Sequence, residues 1–365
     1  AAPGERVLDL CAAPGGKTAQ LAAAVGPTGT VVANELSTGR HQALRSNIER
    51  LGLFNVTTTR ADGANYAPEA GPFDRVLVDA PCSGEGIWRK RDGRLQSGSV
   101  PGHPGLQKAL LRKAVALCRP GGRIVYATCT FAPEENEAVV DAVLREFGAG
   151  LRLIPASIPG VNGAEGVTRW QGEDFLPALS GALRIWPQAN DTGGFFMALL
   201  EKDGDARPPV APYPLAPEPD GWWQQELGAF YDLPADTWAH LQAHRQGSRG
   251  LHWVNRGHQP PRRPAPEVAG IFAYRTRTDP HKLTTAAALA IGRAAGRQVV
   301  DLDESQLADF LQRRDFPLPG EQAARCRRDG YVIVRYGGEV VGTGYYRPGS
   351  GWLKSLVPKH AAGQR

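Results

Sequence analysis

The stretch Asp9-Leu10-Cys11-Ala12-Ala13-Pro14-Gly15-Gly16-Lys17-Thr18 decides how the chain is read. It follows a short apolar run, Arg6-Val7-Leu8, and leads into a helical pattern that runs from Thr18 to Val25. A strand, a glycine turn and a helix start, in that order, make a nucleotide-type cofactor site. Gly15 and Gly16 allow positive φ and a close approach of backbone to ligand. The N–H groups of the helix start then face that ligand. Two further stretches end buried runs. These are Asp79-Ala80-Pro81-Cys82-Ser83-Gly84 and Ala127-Thr128-Cys129-Thr130, and the three loops read together as one site.

Three ligands compete for the first loop. The dinucleotide fingerprint is absent, because Cys11 and Ala13 stand where its first two glycines belong. The phosphate-binding loop fails by one residue, since Gly16-Lys17-Thr18 fits its end but Cys11 replaces its opening glycine. The third ligand is S-adenosyl-L-methionine, whose ribose hydroxyls need a carboxylate at the end of the second strand. Val31-Val32-Ala33-Asn34-Glu35 supplies one at about the spacing expected for such sheets. An acid there also suits a helix start, but beside this loop the ligand role is the better reading.

Length, 365 residues, leads to an expectation of two or three domains. The net charge of +5 is mildly basic and decides little. No run reaches the ~18 apolar residues of a membrane span, and no signal peptide is visible. Five cysteines, none in a C-x-x-C pair, argue against a disulfide framework and against a zinc site, so no metal is expected. Reduced thiols in a cytoplasmic protein fit this usage. The first residue is not Met and the first strand follows almost at once, so an N-terminal part is expected to lie outside this numbering.

Short apolar runs at 7–10, 31–35, 56–60, 75–79, 123–128, 151–154 and 194–200 alternate with helical patterns at 18–25, 38–51, 105–118 and 133–147. Arg119-Pro120-Gly121-Gly122 is a strong stop signal for the third helix. Pro133 and the acids after it suit the first turn of the fourth. Alternation on this scale predicts an α/β fold, a mostly parallel sheet with helices on both faces. Ligands of such sheets sit outside the carboxyl ends of the strands. Gly15, Glu35, Asp62, Asp79, Cys82 and Cys129 all fall there.

Beyond Lys202 the composition changes. Arg207-Pro208-Pro209-Val210-Ala211-Pro212-Tyr213-Pro214 reads as a stiff linker. A Trp-rich helical segment is expected over 222–243. From Ala239 to Val300 there are ten Arg or Lys and two acids, Glu267 and Asp279. A helix-rich piece follows at 284–314. A β-patterned piece then runs over 330–336 and 339–347, with a hairpin signal at Gly337-Gly338. Its tail, from Trp352 to Pro358 and Lys359, is basic. A basic β module with aromatics suggests nucleic-acid contact, and its bland alternative is a solvated positive surface.

Two cysteines at neighbouring strand ends point to a specific chemistry. A pyrimidine C5 becomes nucleophilic only after a thiolate adds at C6, which is covalent catalysis. A base must then remove the C5 proton. Cys82 and Cys129 are the candidates, and spacing alone does not choose between them. Asp79 is placed to bond the base edge. The thiolate needs a helix start or a cation nearby, and the helix opening at Pro133 or Lys17 is expected to serve. Cys118, on the inner stripe of the third helix, and Cys326, in Arg325-Cys326-Arg327-Arg328, are read as having no catalytic role.

Residues 9–18, 79–84 and 128–130 together resemble the Sun-type RNA cytosine-C5 methyltransferases. Glu35, Asp62-Gly63, the Arg119 to Gly122 turn, Pro133-Glu134-Glu135-Asn136-Glu137 and Gly193-Gly194-Phe195-Phe196 fit the same context. The basic C-terminal module is similar to that of the bacterial 16S ribosomal RNA enzymes of the RsmF type. The resemblance implies a Rossmann-like, class I S-adenosyl-L-methionine-dependent methyltransferase domain over 1–204. After a linker and helical segment at 205–265 it implies a PUA-like α+β RNA-binding domain at 266–365. It implies Cys129 as nucleophile and Cys82 as the aid to product release. It also implies that Cys11, Ala12, Ala13, Pro14, Gly15, Gly16, Lys17, Glu35, Asp62 and Asp79 line the cofactor site. The expected partner is 16S ribosomal RNA or the small ribosomal subunit, with no membrane and no obligate protein partner. Family members carry an RNA-binding segment before the first strand, which is not in this numbering. DNA cytosine-C5 methylation and a non-catalytic RNA-binding assembly factor are the alternatives.

Overall fold

The computed structural model describes residues 1–87, 104–248, 250–278, 282–326 and 328–357. Asp279, Arg327, Pro358 and Lys359, named above, lie outside the described residues. The chain divides into two compact units. One holds Ala1–Leu44, Thr57–Tyr213 and Gln259–Glu267, and the other Arg45–Val56, Pro214–His258 and Val268–Arg365.

In chain order the first elements are β1 (Arg6–Asp9), α1 (Gly16–Val25), β2 (Thr30–Asn34), α2 (Thr38–Leu51), β3 (Val56–Thr59) and β4 (Phe73–Asp79). Then come α3 (Pro104–Leu117), β5 (Cys118–Thr128), α4 (Glu137–Phe147), β6 (Leu151–Ile154) and β7 (Gly163–Glu165). A small ribbon of β8 (Arg169–Trp170) and β9 (Glu173–Asp174) precedes β10 (Leu183–Ile185), α5 (Pro187–Asn190) and β11 (Phe195–Lys202). The sheet runs β3-β2-β1-β4-β5-β11-β10-β7, with β6 also on β11. β1 is parallel to β2 and β4, and β4 to β5, whereas β11 is antiparallel to β5.

The central strands are short apolar runs because both faces are covered, as parallel strands require. Every residue of β1, β2 and β3 is buried. Leu8, Val32, Val76, Val78, Ile124 and Tyr126 pack in one core with Leu110 and Leu111 of α3 and Val139 and Val143 of α4. Chain order reverses at β1, which has β2 on one side and β4 on the other, and ligands bind beyond the carboxyl ends at such a switch point. Register sets the site. Asp9 pairs with Ala33 and Leu77, and Asp79 pairs with Ala127. The loops after β1, β2, β4 and β5 therefore emerge side by side.

Two helix boundaries differ from the sequence reading. α3 stops at Leu117, and Cys118 opens β5 opposite Phe73 rather than lying on the helix. Gly121, at φ +66°, turns the chain there, and a Cβ on Gly122 would stand 2.5 Å from Cys118 Sγ. α4 starts at Glu137, not Pro133. Asn136 is fully buried and spends its side chain on the preceding strand end, bonding Thr128 Oγ1 at 2.5 Å and the carbonyl of Thr130 at 3.0 Å. Those bonds hold 133–136 as a turn. Strands β7 and β10, three residues each, carry too short a pattern to have been read.

The second unit contains α6 (Trp222–Tyr231), β12 (Leu241–Arg245), β13 (Gly250–Asn255), β14 (Val268–Ala269), β15 (Ile271–Arg275) and β16 (Lys282–Leu283). It continues with α7 (Thr285–Ile291), β17 (Val299–Leu302), α8 (Glu304–Leu311), β18 (Phe316–Pro317) and α9 (Gly320–Ala323), and ends with β19 (Gly330–Tyr336), β20 (Glu339–Arg347) and β21 (Trp352–Ser355). One sheet is ordered β12-β13-β15-β16, and another β17-β19-β20-β21-β18. The expected helix over 222–243 ends at Tyr231, where Asp232 turns left-handed and Pro234 follows. A 3₁₀ turn at Ala235–Trp238 and the start of β12 follow, while Trp223 packs on Trp238 and Trp253 at 5.3 and 5.6 Å. The piece at 284–314 is likewise interrupted, because Val299 and Val300 pair in parallel with β19. The Gly337-Gly338 turn closes its hairpin with both residues at positive φ.

Candidate active site

The first loop is pinned from below. Asp9, at the end of β1, is buried and accepts a 2.7 Å bond from Thr18 Oγ1 in the first turn of α1. Its Oδ1 has no hydrogen-bond partner among the described residues. Burial pushes this carboxyl up to about 7, and the Thr18 hydroxyl offsets that only in part. Gly15 caps the helix at φ +105°, a left-handed conformation that glycine adopts without steric cost. Burial, then the nearby carboxylates, push the Cys11 thiol upward, so it is no nucleophile.

Asn34, the last residue of β2, ties three strand ends together. Its amide donates to the carbonyls of Leu10 and Ala61, and its oxygen accepts from Thr59 Oγ1 and the Ala61 amide. Nothing in the local sequence marks Asn34, because its contacts run across the sheet. Glu35 follows with one oxygen bonded to the Ser37 amide at 2.9 Å and the other 3.5 Å from Arg40. Asp62, after β3, accepts from the Ala64 amide and from Asn65. Lys17 reaches Asp79 Oδ2 at 2.8 Å, which joins α1 to the end of β4.

Beyond β4 and β5, the sulfurs of Cys82 and Cys129 stand 3.3 Å apart. The Cys129 amide donates to Cys82 Sγ at 3.3 Å, and when Cys129 is the thiolate the Cys82 S–H donates across the sulfur contact. That donated bond holds the Cys129 thiol down at about 7, against burial and the charge of Asp79. The same contact drives Cys82 the other way, well above the ordinary thiol range. The expected helix start at Pro133 plays no part, since α4 begins later, and Lys17 contributes less than Cys82 does.

The loops carrying the two thiols interlock. Gly86 donates its amide to the Cys129 carbonyl at 2.8 Å, and Gly194 donates to the Gly86 carbonyl at 2.9 Å. A Cβ on Gly86 would lie 2.4 Å from Gly194 O, so only glycine fits. Phe131 stacks on Trp186 at 4.7 Å, and Arg184 bonds the Phe131 carbonyl while forming a fully buried pair with Glu137. Nothing local in the sequence marks Gly86, Phe131, Arg184 or Trp186. A cavity of about 680 Å³ opens onto Lys17, Asp79, Cys129, Thr192 and Phe195.

Residues 1–201 match the family model described as 16S rRNA methyltransferase RsmB/F. The chain belongs to this family. Residues 297–361, which span β17 to β21, match the Methyltransferase RsmF PUA domain. The chain is 32% identical over 364 residues to the ribosomal RNA small subunit methyltransferase F of Aeromonas salmonicida, covering 93% of this chain and 70% of that protein. It is 39% identical over 203 residues to the tRNA (cytosine(49)-C(5))-methyltransferase of Pyrococcus abyssi, covering 55% of this chain and 64% of the relative. A crystal structure of a methyltransferase homolog protein from Pyrococcus horikoshii is similar with TM-score 0.48 and 34% identity, over 55% of this chain and 62% of that one.

Membership carries the class of reaction, S-adenosyl-L-methionine-dependent methylation at C5 of cytosine in ribosomal RNA, on a Rossmann-like sheet followed by a PUA-type domain. The site suits that cofactor. Glu35, Asp62 and Asp79 bring carboxylates to the ends of β2, β3 and β4, a setting that favours a cationic ligand. A Cβ at Gly16 would meet nothing within 4 Å, so the helix start is open to a ligand. No helix among the described residues is long and apolar enough to cross a membrane.

Proposed function

We propose that this chain forms 5-methylcytosine in 16S ribosomal RNA, with Cys129 as the nucleophile and Cys82 as the group that releases product. The 3.3 Å contact between the two sulfurs at the ends of β4 and β5 carries this reading. Cys11 to Lys17, Glu35, Asp62 and Asp79 line the cofactor site in it. When bound there, S-adenosyl-L-methionine supplies the methyl group that C5 takes up.

The target base is turned out of its stack into the cavity, as enzymes that act on bases require. In this reading Asp79, held by Lys17, bonds the edge of the ring. The Cys129 thiolate forms an S–C6 bond, and the C5=C6 π pair becomes available at C5. After methylation C5 carries the methyl group and its original proton. Removing that proton re-forms C5=C6 and expels Cys129 with the electron pair of the C–S bond.

Cys82 suits that last step. Beside the free thiolate it stays protonated, since its S–H is held by Cys129. Once Cys129 is bonded to carbon, that charge is gone and Cys82 releases its proton to water. The resulting thiolate then accepts the C5 proton.

The PUA-type domain is the expected RNA-holding part, with binding that weakens as salt rises. The cytoplasm, where ribosomal RNA is found, is the proposed compartment, and the reaction invokes no protein partner. The test is transfer of labelled methyl groups to 16S RNA, assembled small subunits, tRNA and DNA. Label at C5 of 16S cytosines, lost in Cys129→Ala, is expected. Label confined to tRNA or DNA overturns the substrate, and no transfer to any of them overturns the activity.

A further inference from the structure

The two thiol-bearing loops are braced by a carboxylate from each. Glu85, three residues beyond Cys82, accepts from Thr130 Oγ1 at 3.0 Å and from the Phe131 amide at 3.1 Å. Glu135, six residues beyond Cys129, accepts from the Ser83 amide at 3.2 Å and from Gln107 at 2.7 Å. Ser83 Oγ and Thr130 Oγ1 complete the brace at 2.7 Å. Gln107 is fully buried and also donates to the Pro81 carbonyl, while Tyr126 donates to the Glu135 backbone at 2.6 Å. Each loop thus presents an acceptor to donors of the other, and the Cys82–Cys129 contact joins the same two loops.

We propose that Glu85 and Glu135 are positioning residues that set the contact between the Cys82 and Cys129 sulfurs. The inference rests on the reading of Cys129 as nucleophile. A sulfur contact of this kind falls off steeply with distance. Main-chain bonds through Gly86 fix how deeply the loops meet, and the carboxylates fix how they align along one another. The other groups facing Cys129 are Asp79 at the end of β4 and Lys17 of α1, with Asp191 on the same cavity. None of these is bonded to Glu85 or Glu135 among the described residues.

Charge and position make opposite predictions. Deleting a negative charge near a thiol makes its thiolate easier to form. Deleting a brace loosens the S–H donor and makes the thiolate harder to form. The experiment is the pH dependence of Cys129 alkylation by iodoacetamide, mapped by mass spectrometry on the full chain without RNA, alongside methyl transfer.

In Glu85→Ala the midpoint is expected to rise toward that of an ordinary thiol, about 8.5. The kcat should fall about tenfold, and KM should change less. Glu85→Gln keeps an acceptor oxygen and is expected to stay near wild type. Glu135→Gln, tested because Glu135→Ala is exposed to misfolding, is expected to follow Glu85→Gln. A midpoint that is unchanged or lower in Glu85→Ala, or a Gln variant shifting as far as the Ala variant, overturns the proposal. Failure of the nucleophile reading shows separately, as wild-type activity that survives Cys129→Ala.

Discussion

Asp9 Oδ2 receives the Thr18 hydroxyl at 2.7 Å in a fully buried setting, which clamps the end of β1 to the first turn of α1. The glycine turn between them is held at both ends by this one bond. A buried carboxylate is a costly clamp, and the cost depends on pH.

Asp9 is pushed up to about 7 in the fold, from an ordinary value near 4. Between about 4 and 7 the folded chain binds a proton that the unfolded chain does not. Stability from this group therefore falls as pH rises through that window, and the loss is complete above 7. Asp9→Asn keeps an oxygen for Thr18. It is expected to melt at least about 2 °C above wild type at pH 8 and level with it at pH 4, by calorimetry.

Cys129 is held down at about 7, largely by the Cys82 S–H. Methyl transfer should rise with pH through about 7 and then level off. In Cys82→Ala the alkylation midpoint of Cys129 should move up toward about 8.5, because its donor is removed. A midpoint left at 7 would place the source of the depression elsewhere.

Gly86→Ala would push a Cβ to 2.4 Å from Gly194 O and 2.9 Å from Cys129 O, and neither backbone atom can swing aside. A loss of about 1–3 kcal/mol is expected in urea unfolding, with methyl transfer falling further than stability explains. Gly105→Ala, where a Cβ meets nothing within 4 Å, is the control.

Arg184 and Glu137 form a bidentate pair whose side chains are 6% and 0% exposed. Breaking one side leaves a buried charge and is expected to cost about 3–5 kcal/mol in Arg184→Met. The double variant Arg184→Met with Glu137→Leu should recover part of that loss. Equal losses in single and double variants would contradict the account of this pair.

The catalytic half was legible because its signals are local. The glycine turn, the carboxylate after β2 and the cysteines beyond β4 and β5 each sit in a short run next to a buried strand. Parallel register then brings Asp79 opposite Ala127 and places the loops together. What was hidden depends on partners distant in sequence. Pro133 and its acids carry every local sign of a helix start, yet Asn136 bonds back to Thr128 and Thr130 and delays the helix to Glu137. Glu135, read as a first-turn acid, is buried and bonded to Ser83 and Gln107. Beyond Lys202, the Trp-rich segment 222–243 reads as helix, but Leu241 and Ala243 are buried in alternation and that end is a strand.

The most direct measurement is mass spectrometry of the covalent RNA adduct formed by Cys82→Ala with 16S RNA and S-adenosyl-L-methionine. The account predicts that the adduct accumulates, that the peptide carrying the nucleotide contains Cys129, and that the bound pyrimidine already holds its methyl group. An adduct that accumulates instead in Cys129→Ser with the nucleotide on Cys82, or methyl transfer that continues in Cys129→Ala, would contradict it.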